Sequence, residues 1–180
     1  MASPVPVLLI TGPVGAGKST VANEAGRLLR ELGVPHALVD LARIGQCWPV
    51  PAGDPWNERL IHQNLACIWS NFRQAGIDRL IVSRVLEARS LLRHLAEAVP
   101  GARITVVRLR VRSEVLEARI RAREAGGDPE WFLGAAAYLA GALERARVED
   151  HVVDNDDRLP GDAAVEVLRL AGWPAPTAPS

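Results

Sequence analysis

Residues 12–19 read Gly12-Pro13-Val14-Gly15-Ala16-Gly17-Lys18-Ser19, the pattern G-x-x-x-x-G-K-S, and Thr20 follows. The apolar, β-branched segment Val5 to Thr11 predicts a buried strand before this stretch, and helical spacing of apolar residues in Ser19 to Leu32 predicts a helix after it. The glycines allow consecutive backbone N–H groups to turn toward one anion, and the start of the helix adds further unpaired N–H groups. The stretch therefore predicts a phosphate-binding loop in a nucleotide site.

The side chains of this loop have distinct expected roles. Lys18 can reach the β- and γ-phosphates of a bound nucleotide, and the Ser19 hydroxyl can ligate Mg²⁺. The chain contains 21 Lys and Arg residues in total, and Lys18 is the one lysine among them. An ammonium is a compact point charge that fits between phosphates, whereas a guanidinium is a wide planar fork. This composition supports a phosphate-binding role for Lys18.

Length and composition restrict the other classes of function. The 180 residues fit one domain, assigned to residues 1–173, and residues 174–180, rich in Pro and Ala, are predicted to be a disordered tail. Zero formal net charge and 48% hydrophobic residues disfavour a nucleic-acid or anionic-membrane surface. The sequence shows no signal peptide and no apolar run near the ~20 residues of a membrane span. We expect a cytoplasmic monomer or homodimer with small-molecule partners.

The two cysteines do not indicate a metal site or a disulfide. Cys47 and Cys67 form no C-x-x-C pair, and the four histidines are scattered along the chain. Both are therefore interpreted as reduced thiols.

Short apolar strands alternate with helical patterns along the whole chain. The strands are predicted at Val5–Thr11, His36–Asp40, Arg79–Ser83, Arg103–Leu109 and His151–Asp154. Strands that alternate with helices form a parallel sheet with right-handed crossovers and helices on both faces. The fold class is therefore α/β.

Asp40 lies at the predicted carboxyl end of the second strand. In open α/β sheets, ligands bind beyond this end of the strands. Arg43 follows three residues later, and the proline-containing stretch Leu41 to Pro55, which includes Trp48, is predicted to be a loop that faces the site. Asp40, Arg43 and Trp48 are therefore candidate substrate-binding residues. The alternative for Asp40 is that it only caps the segment that follows it.

The phosphate-binding loop, Asp40 at a strand end and the arginine-rich segment Glu114 to Arg123 together resemble the small P-loop kinases. This group includes gluconate, shikimate, adenylylsulfate and nucleotide kinases and chloramphenicol phosphotransferase, and the resemblance covers residues 5 to about 171. It implies a three-layer P-loop NTPase fold with strand order 2-3-1-4-5. It also implies ATP and Mg²⁺ at Gly12 to Thr20 and a mobile lid at about residues 124–131.

The resemblance assigns roles to three residues outside the loop. In these kinases one arginine of the lid-entry helix lies over the nucleotide and another reaches the transferred phosphoryl group. Arg119 and Arg123 are four residues apart and share a helix face, so we assign these roles to them; the alternative is a solvated basic face. Asn155 is in a segment that resembles the border of the adenine site, and a plain acidic turn is the alternative there.

The resemblance also gives Asp40 a catalytic role, because Val39-Asp40 matches a segment near the acceptor hydroxyl in chloramphenicol phosphotransferase. A carboxylate there can accept the hydroxyl proton or orient the oxygen. Many P-loop NTPases end the third strand with an Asp that holds Mg²⁺ through water, but this chain has Ser83-Arg84. The sequence therefore favours an ATP-dependent phosphotransferase acting on a small hydroxyl-bearing molecule. The alternative is a regulatory nucleotide-binding module that forms no phosphorylated product.

Overall fold

The fold is described from a computed structural model that covers residues 4–124 and 129–176. Five parallel strands form one sheet in the order β2-β3-β1-β4-β5, as the sequence and its resemblance predict. The strands are β1 (Val5–Thr11), β2 (Ala37–Asp40), β3 (Leu80–Ser83), β4 (Ala102–Arg110) and β5 (His151–Asp154). Each lies within one residue of its predicted position.

Helices connect the strands and cover both faces of the sheet. They are α1 (Lys18–Glu31), α2 (Leu41–Ile44), α3 (Glu58–Gln74), α4 (Leu92–Ala98), α5 (Ser113–Arg123), α6 (Pro129–Ala146) and α7 (Pro160–Leu170), and a 3₁₀ turn at Arg89–Leu91 precedes α4. The short α2 lies inside the stretch predicted to be a loop. It forms because Asp40 Oδ1 accepts a hydrogen bond from the Ala42 N–H at 3.2 Å, which caps the turn.

Strand β1 is the centre of the fold because both of its faces are buried. Leu8 and Ile10 point to one face of the sheet, and Val7 and Leu9 point to the other, since successive side chains of a strand alternate. All four are at most 2% exposed. A continuous apolar run is typical of such a central parallel strand.

Two apolar cores result, one on each face. The first, which contains Leu8 and Ile10, is built with residues of α1 and α7, including Leu29 and Leu168. The second contains Leu9 and is built with residues of α3 and α4, including Leu65 and Leu95. This arrangement confirms the predicted three-layer architecture.

Some predictions concern residues that the structure describes only in part. The predicted lid at residues 124–131 includes 125–128, and the predicted disordered tail includes 177–180; both of these ranges lie outside the described residues. In the described part of the chain, no helix is long and apolar enough to span a bilayer. Cys47 and Cys67 are both free thiols.

Candidate active site

The phosphate-binding loop joins β1 to α1 through a backbone that requires glycine. Gly12 has φ 149°, and a Cβ at this position would lie 2.8 Å from the Leu109 carbonyl oxygen of β4. Gly17 has φ 89° and is the N-cap residue of α1. Because a side chain at either position would be strained, these glycines hold the loop close to the sheet.

The N-terminus of α1 is available to an anion. No side chain in the described ranges 4–124 and 129–176 caps this helix end, and its first turn contains no acidic residue. The first N–H groups of a helix have no partner within the helix, and the helix dipole favours negative charge near them. The geometry therefore fits a phosphate group at this position.

Lys18 is folded back over the loop. Its Nζ donates a hydrogen bond to the Pro13 carbonyl oxygen at 2.9 Å. Burial lowers the pKa of Lys18 to about 8; Asp40 opposes this shift and the charge of Arg123 adds to it. The ammonium is therefore desolvated and close to a second cation, and a polyphosphate would relieve both effects.

Ser19 and Asp40 are in direct contact at the carboxyl edge of the sheet. Ser19 Oγ donates a hydrogen bond to Asp40 Oδ2 at 2.7 Å, while Asp40 Oδ1 caps α2. Arg43 Nε lies 3.9 Å from the same Oδ2, and its side chain is 81% exposed. Asp40 thus does cap the next segment, and its second oxygen remains directed at the loop. A hydroxyl and a carboxylate are the oxygen ligands that Mg²⁺ prefers, so these two residues fit the ion.

Ser83 ends β3 beside this pair. It is the register partner of Asp40 in β2 and of Ile10 in β1. Its hydroxyl is buried and has no hydrogen-bond partner among the residues that the structure describes. A buried hydroxyl without a partner is unfavourable unless a water or ligand pairs with it. Ser83 lines one cavity at this edge of the sheet together with Ser19 and Asp40.

Two cavities adjoin the loop. The first, of about 360 Å³, is lined by Lys18, Ser19, Thr20, Arg119, Arg123, Asn155, Arg158 and neighbouring loop residues. The second, of about 430 Å³, is lined by Ser19, Asn23, Asp40, Arg43, Phe72, Ser83 and adjacent residues of β2 and α3. Ser19 is common to both. The loop therefore separates a cavity on the arginine side from one on the Asp40 side.

Helix α5 brings the two predicted arginines to the first cavity. It packs on the loop, since a Cβ at Gly15 would lie 3.1 Å from the Ile120 side chain. Arg119 donates from Nη2 to the carbonyl oxygens of Asn155, at 2.8 Å, and of Asp156. The guanidinium of Arg119 is thus held against the β5–α7 connection.

Arg123 is held differently, and Arg121 turns away from the cavity. The Arg123 guanidinium lies 5.2 Å from the centre of the Phe132 ring and pairs with Glu124 at 2.7 Å. Arg121 pairs with Glu130 at 3.2 Å and lines no part of the first cavity. Arg119 and Arg123, which share a helix face, both line this cavity.

Asn155 ties the β5–α7 connection to the phosphate-binding loop. Its Nδ2 donates a hydrogen bond to the Ala16 carbonyl oxygen at 2.9 Å, and the residue is 5% exposed. Because Arg119 binds the Asn155 carbonyl oxygen, α5, this connection and the loop form one hydrogen-bonded unit. The unit surrounds the first cavity.

Trp48 is not brought to either cavity. It is 91% exposed on the connection between α2 and α3 and is not among the residues that line the two cavities beside the loop. The sequence reasoning also passed over Arg158, which lines the first cavity, and the ion pair between Glu58 and Arg84 at the end of β3. Glu58 and Arg84 are 26 positions apart in the chain, so no local pattern indicated their pairing.

Comparison with solved structures shows the same fold in proteins that include small-molecule kinases. The tunicamycin resistance protein of Deinococcus radiodurans has a TM-score of 0.69 at 21% identity, covering 98% of this chain and 100% of that one. A gluconokinase of Sinorhizobium meliloti has a TM-score of 0.59 at 21% identity, with 95% and 94% covered. The APS kinase of Mycobacterium tuberculosis, in complex with AMPPNP and APS, has a TM-score of 0.57 at 20% identity, with 95% and 99% covered.

Sequence comparison adds no closer relative. No family model matches the chain, and no curated protein matches it significantly. Similarity at these identities establishes the fold, and the activity has to be argued from the site itself.

Proposed function

We propose that this protein is an ATP-dependent phosphotransferase that moves the γ-phosphoryl group to a hydroxyl of a small metabolite or antibiotic. The observation that carries this proposal is the 2.7 Å contact between Ser19 Oγ and Asp40 Oδ2. It places a carboxylate beside the motif serine, at the edge of the sheet where ligands of α/β proteins bind.

The chain supplies positive charge and N–H donors around the expected phosphates. Lys18 and the N-terminus of α1 would bind the β- and γ-phosphates, and Arg119 and Arg123 would approach from α5. Phosphoryl transfer depends mainly on positioning and on stabilising charge at the equatorial oxygens. Ser19 and Asp40 would hold Mg²⁺, which would supply further positive charge at the phosphates.

The cavity on the Asp40 side is the proposed acceptor site. Its volume of about 430 Å³ fits a small molecule, and Asp40, Arg43 and Ser83 provide its polar groups. From this position, Asp40 would accept or orient the proton of the acceptor hydroxyl. Arg43 is exposed and is available to an anionic acceptor. Trp48 would contact an acceptor in this cavity only if the connection between α2 and α3 moved toward it.

Substitution Asp40→Asn tests the proposal, because asparagine retains an oxygen that can cap α2 but removes the charge. Acceptors would be found by screening hydroxylated metabolites for stimulated ADP formation. Acceptor-dependent turnover should then fall by roughly 10²–10⁴-fold, toward the lower end for a loose transition state, with ATP affinity little changed. Asp157→Asn is the matched control, because Asp157 is exposed on the β5–α7 connection and should leave turnover unchanged.

Two other outcomes are informative. If Asp40 mainly holds Mg²⁺, Asp40→Asn should weaken Mg·ATP binding, and added Mg²⁺ should partly restore it. If no hydroxylated compound stimulates ATP consumption by the wild type, the phosphotransferase proposal fails and the regulatory nucleotide-binding module replaces it.

A further inference from the structure

A cluster of possible metal ligands joins α3 to α4, on the face of the sheet opposite α1. It consists of Glu58, His62 and His94, and one ligand atom of each lies within 4.8 Å of the others. These residues line a cavity of about 520 Å³ together with Asp54, Glu97 and adjacent residues of α3 and α4. None of the three lines either cavity beside the phosphate-binding loop.

His62 has one ring nitrogen available to bind a metal ion. Its Nδ1 lies 2.7 Å from the Glu58 carbonyl oxygen, so we assign the proton to Nδ1 and the lone pair to Nε2. Metal-binding histidines usually donate their second ring N–H in this way, which fixes the tautomer and the ring orientation. Burial, and to a lesser extent the positive charge of Arg84, lower the pKa of His62, and the hydrogen bond with the Glu58 carbonyl oxygen opposes this shift. Only a neutral imidazole binds a metal.

The other two residues have buried polar atoms without partners. Glu58 Oε1 pairs with Arg84, but Glu58 Oε2 is buried and has no hydrogen-bond partner among the described residues. The same is true of His94 Nδ1. A polar atom buried without a partner costs free energy, because it has lost its hydrogen bonds to water. A cation bound by both atoms would remove this cost.

Small movements would complete the coordination. Ligands of a tetrahedral ion with bonds of ~2.0–2.1 Å are roughly 3.4 Å apart, so the side chains must approach by on the order of 1 Å. His94 Nε2 now accepts a hydrogen bond from Arg93 Nε at 3.2 Å. Binding through Nδ1 would move the proton to Nε2 and displace the side chain of Arg93, which is exposed.

The local charges and donor types define the kind of ion. Two cations lie beside the cluster, Arg84 and the cavity residue Arg59. Glu58 and the cavity residues Asp54 and Glu97 bring three negative charges, so the negative charges exceed the positive ones by one. Two imidazole nitrogens and one carboxylate oxygen suit Zn²⁺ and similar transition metals, whereas Mg²⁺ prefers oxygen ligands.

We propose that Glu58, His62 and His94 form a binding site for a divalent transition metal ion of the Zn²⁺ class. The site links α3 to α4 and is separate from the magnesium and nucleotide site. Three protein ligands would leave a fourth position for water or for another ligand.

Titration calorimetry with Zn²⁺ on the full chain tests this site. Cys47→Ser and Cys67→Ser should be introduced in all samples, because both exposed thiols can bind Zn²⁺ themselves. We expect one site per chain. His62→Gln and His94→Gln should each weaken binding at least ~10-fold, since even the loss of an outer-sphere partner costs 10–100-fold. His151→Gln is the matched control and should bind as the parent does. Circular dichroism should verify that each variant is folded.

A second measurement requires no change to the ligands. In the histidine ring NMR spectrum of the cysteine-free parent, Zn²⁺ should shift the resonances of His62 and His94 and leave those of His36 and His151 in place. The proposal is overturned if the parent binds no Zn²⁺, if His62→Gln and His94→Gln bind as tightly as His151→Gln, or if other ring resonances shift instead. None of these results depends on the proposed kinase activity.

Discussion

The composition of the chain, the burial of Lys18 and the charges around it all favour a role for Lys18 in binding phosphate. It is the one lysine of the chain, and burial lowers its pKa to about 8. Its ammonium donates a hydrogen bond to the Pro13 carbonyl oxygen and is repelled by Arg123. A polyphosphate supplies negative charge and should raise this pKa, so nucleotide binding and protonation of Lys18 favour each other.

ATP affinity should therefore depend on pH above 8. Below pH 8, Lys18 of the free protein is already protonated, and the affinity for ATP is at its maximum. As the pH rises from about 8 to the higher pKa of the complex, binding must take up one proton, and affinity should fall by at most ~10-fold per pH unit. Isothermal titration at pH 7.5, 8.5 and 9.5, in buffers of different ionisation enthalpy, would measure both affinity and proton uptake. Constant affinity across this range would contradict the assignment.

Lys18→Arg should fail even though it preserves the positive charge. The guanidinium is wider than the ammonium and cannot fit as a point donor between phosphates. Turnover should fall by ~10²–10³-fold, a typical cost of losing one donor to the developing charge, and Lys18→Ala should be similarly impaired. Thermal melting should show both variants folded, because the glycines shape the loop. Near-wild-type turnover of Lys18→Arg would remove the argument for a point charge.

At the scale of elements, the nucleotide site depends on contacts between segments distant in the chain. Asn155, in the β5–α7 connection, binds the Ala16 carbonyl oxygen, and Arg119 of α5 binds the Asn155 carbonyl oxygen. Arg119 is thereby positioned by carbonyl groups before any nucleotide binds. These contacts make the loop, α5 and the β5–α7 connection behave as one element.

Asn155→Ala should loosen this unit. It removes a buried donor and leaves the Ala16 carbonyl oxygen unpaired, at a cost of about 1–3 kcal/mol in the free energy of unfolding. ATP affinity should fall as well, because the loop loses a fixed contact. Urea denaturation and ATP titration would measure the two effects. Asp157→Ala changes an exposed residue of the same connection and should alter the free energy of unfolding and the ATP affinity by far less. If Asp157→Ala had the same effect as Asn155→Ala, the contact with the Ala16 carbonyl oxygen would not be the cause of the losses.

At the scale of the whole molecule, one sheet separates two cores. Ile10 is buried in the core with α1 and α7, and Ile61 is buried in the core with α3 and α4. The two residues share no core, and each is at most 4% exposed. Because both cores pack on the same five strands, neither face is stable without the sheet.

Ile10→Val and Ile61→Val should each lower the free energy of unfolding by ~0.5–1.5 kcal/mol. Since the two side chains lie on opposite faces of the sheet, the double variant should show the sum within about 0.5 kcal/mol. Urea denaturation followed by fluorescence and by circular dichroism should give coincident single transitions. Two separate transitions would mean that the layers unfold independently.

The sequence alone determined the features that depend on contiguous residues. The G-x-x-x-x-G-K-S stretch specified the phosphate-binding loop, because the glycine conformations and the start of α1 are local properties. The alternation of apolar strands with helices specified the α/β class. The strand order came from the resemblance to small P-loop kinases, and the structure confirms it. Helix α2 was not predicted, because its first turn depends on the hydrogen bond that the Asp40 side chain accepts from the Ala42 N–H.

Only the tertiary structure decided which distant residues meet. Ser19 and Asp40 are 21 positions apart, and their 2.7 Å contact exists because β1 and β2 end at the same edge of the sheet. Glu58 and His62 are one helical turn apart, but His94 joins them only through the packing of α4 beside α3. His62 and His94 appear unrelated in the sequence. Their distance in the structure is set by how α3 and α4 pack on the sheet and not by their spacing along the chain.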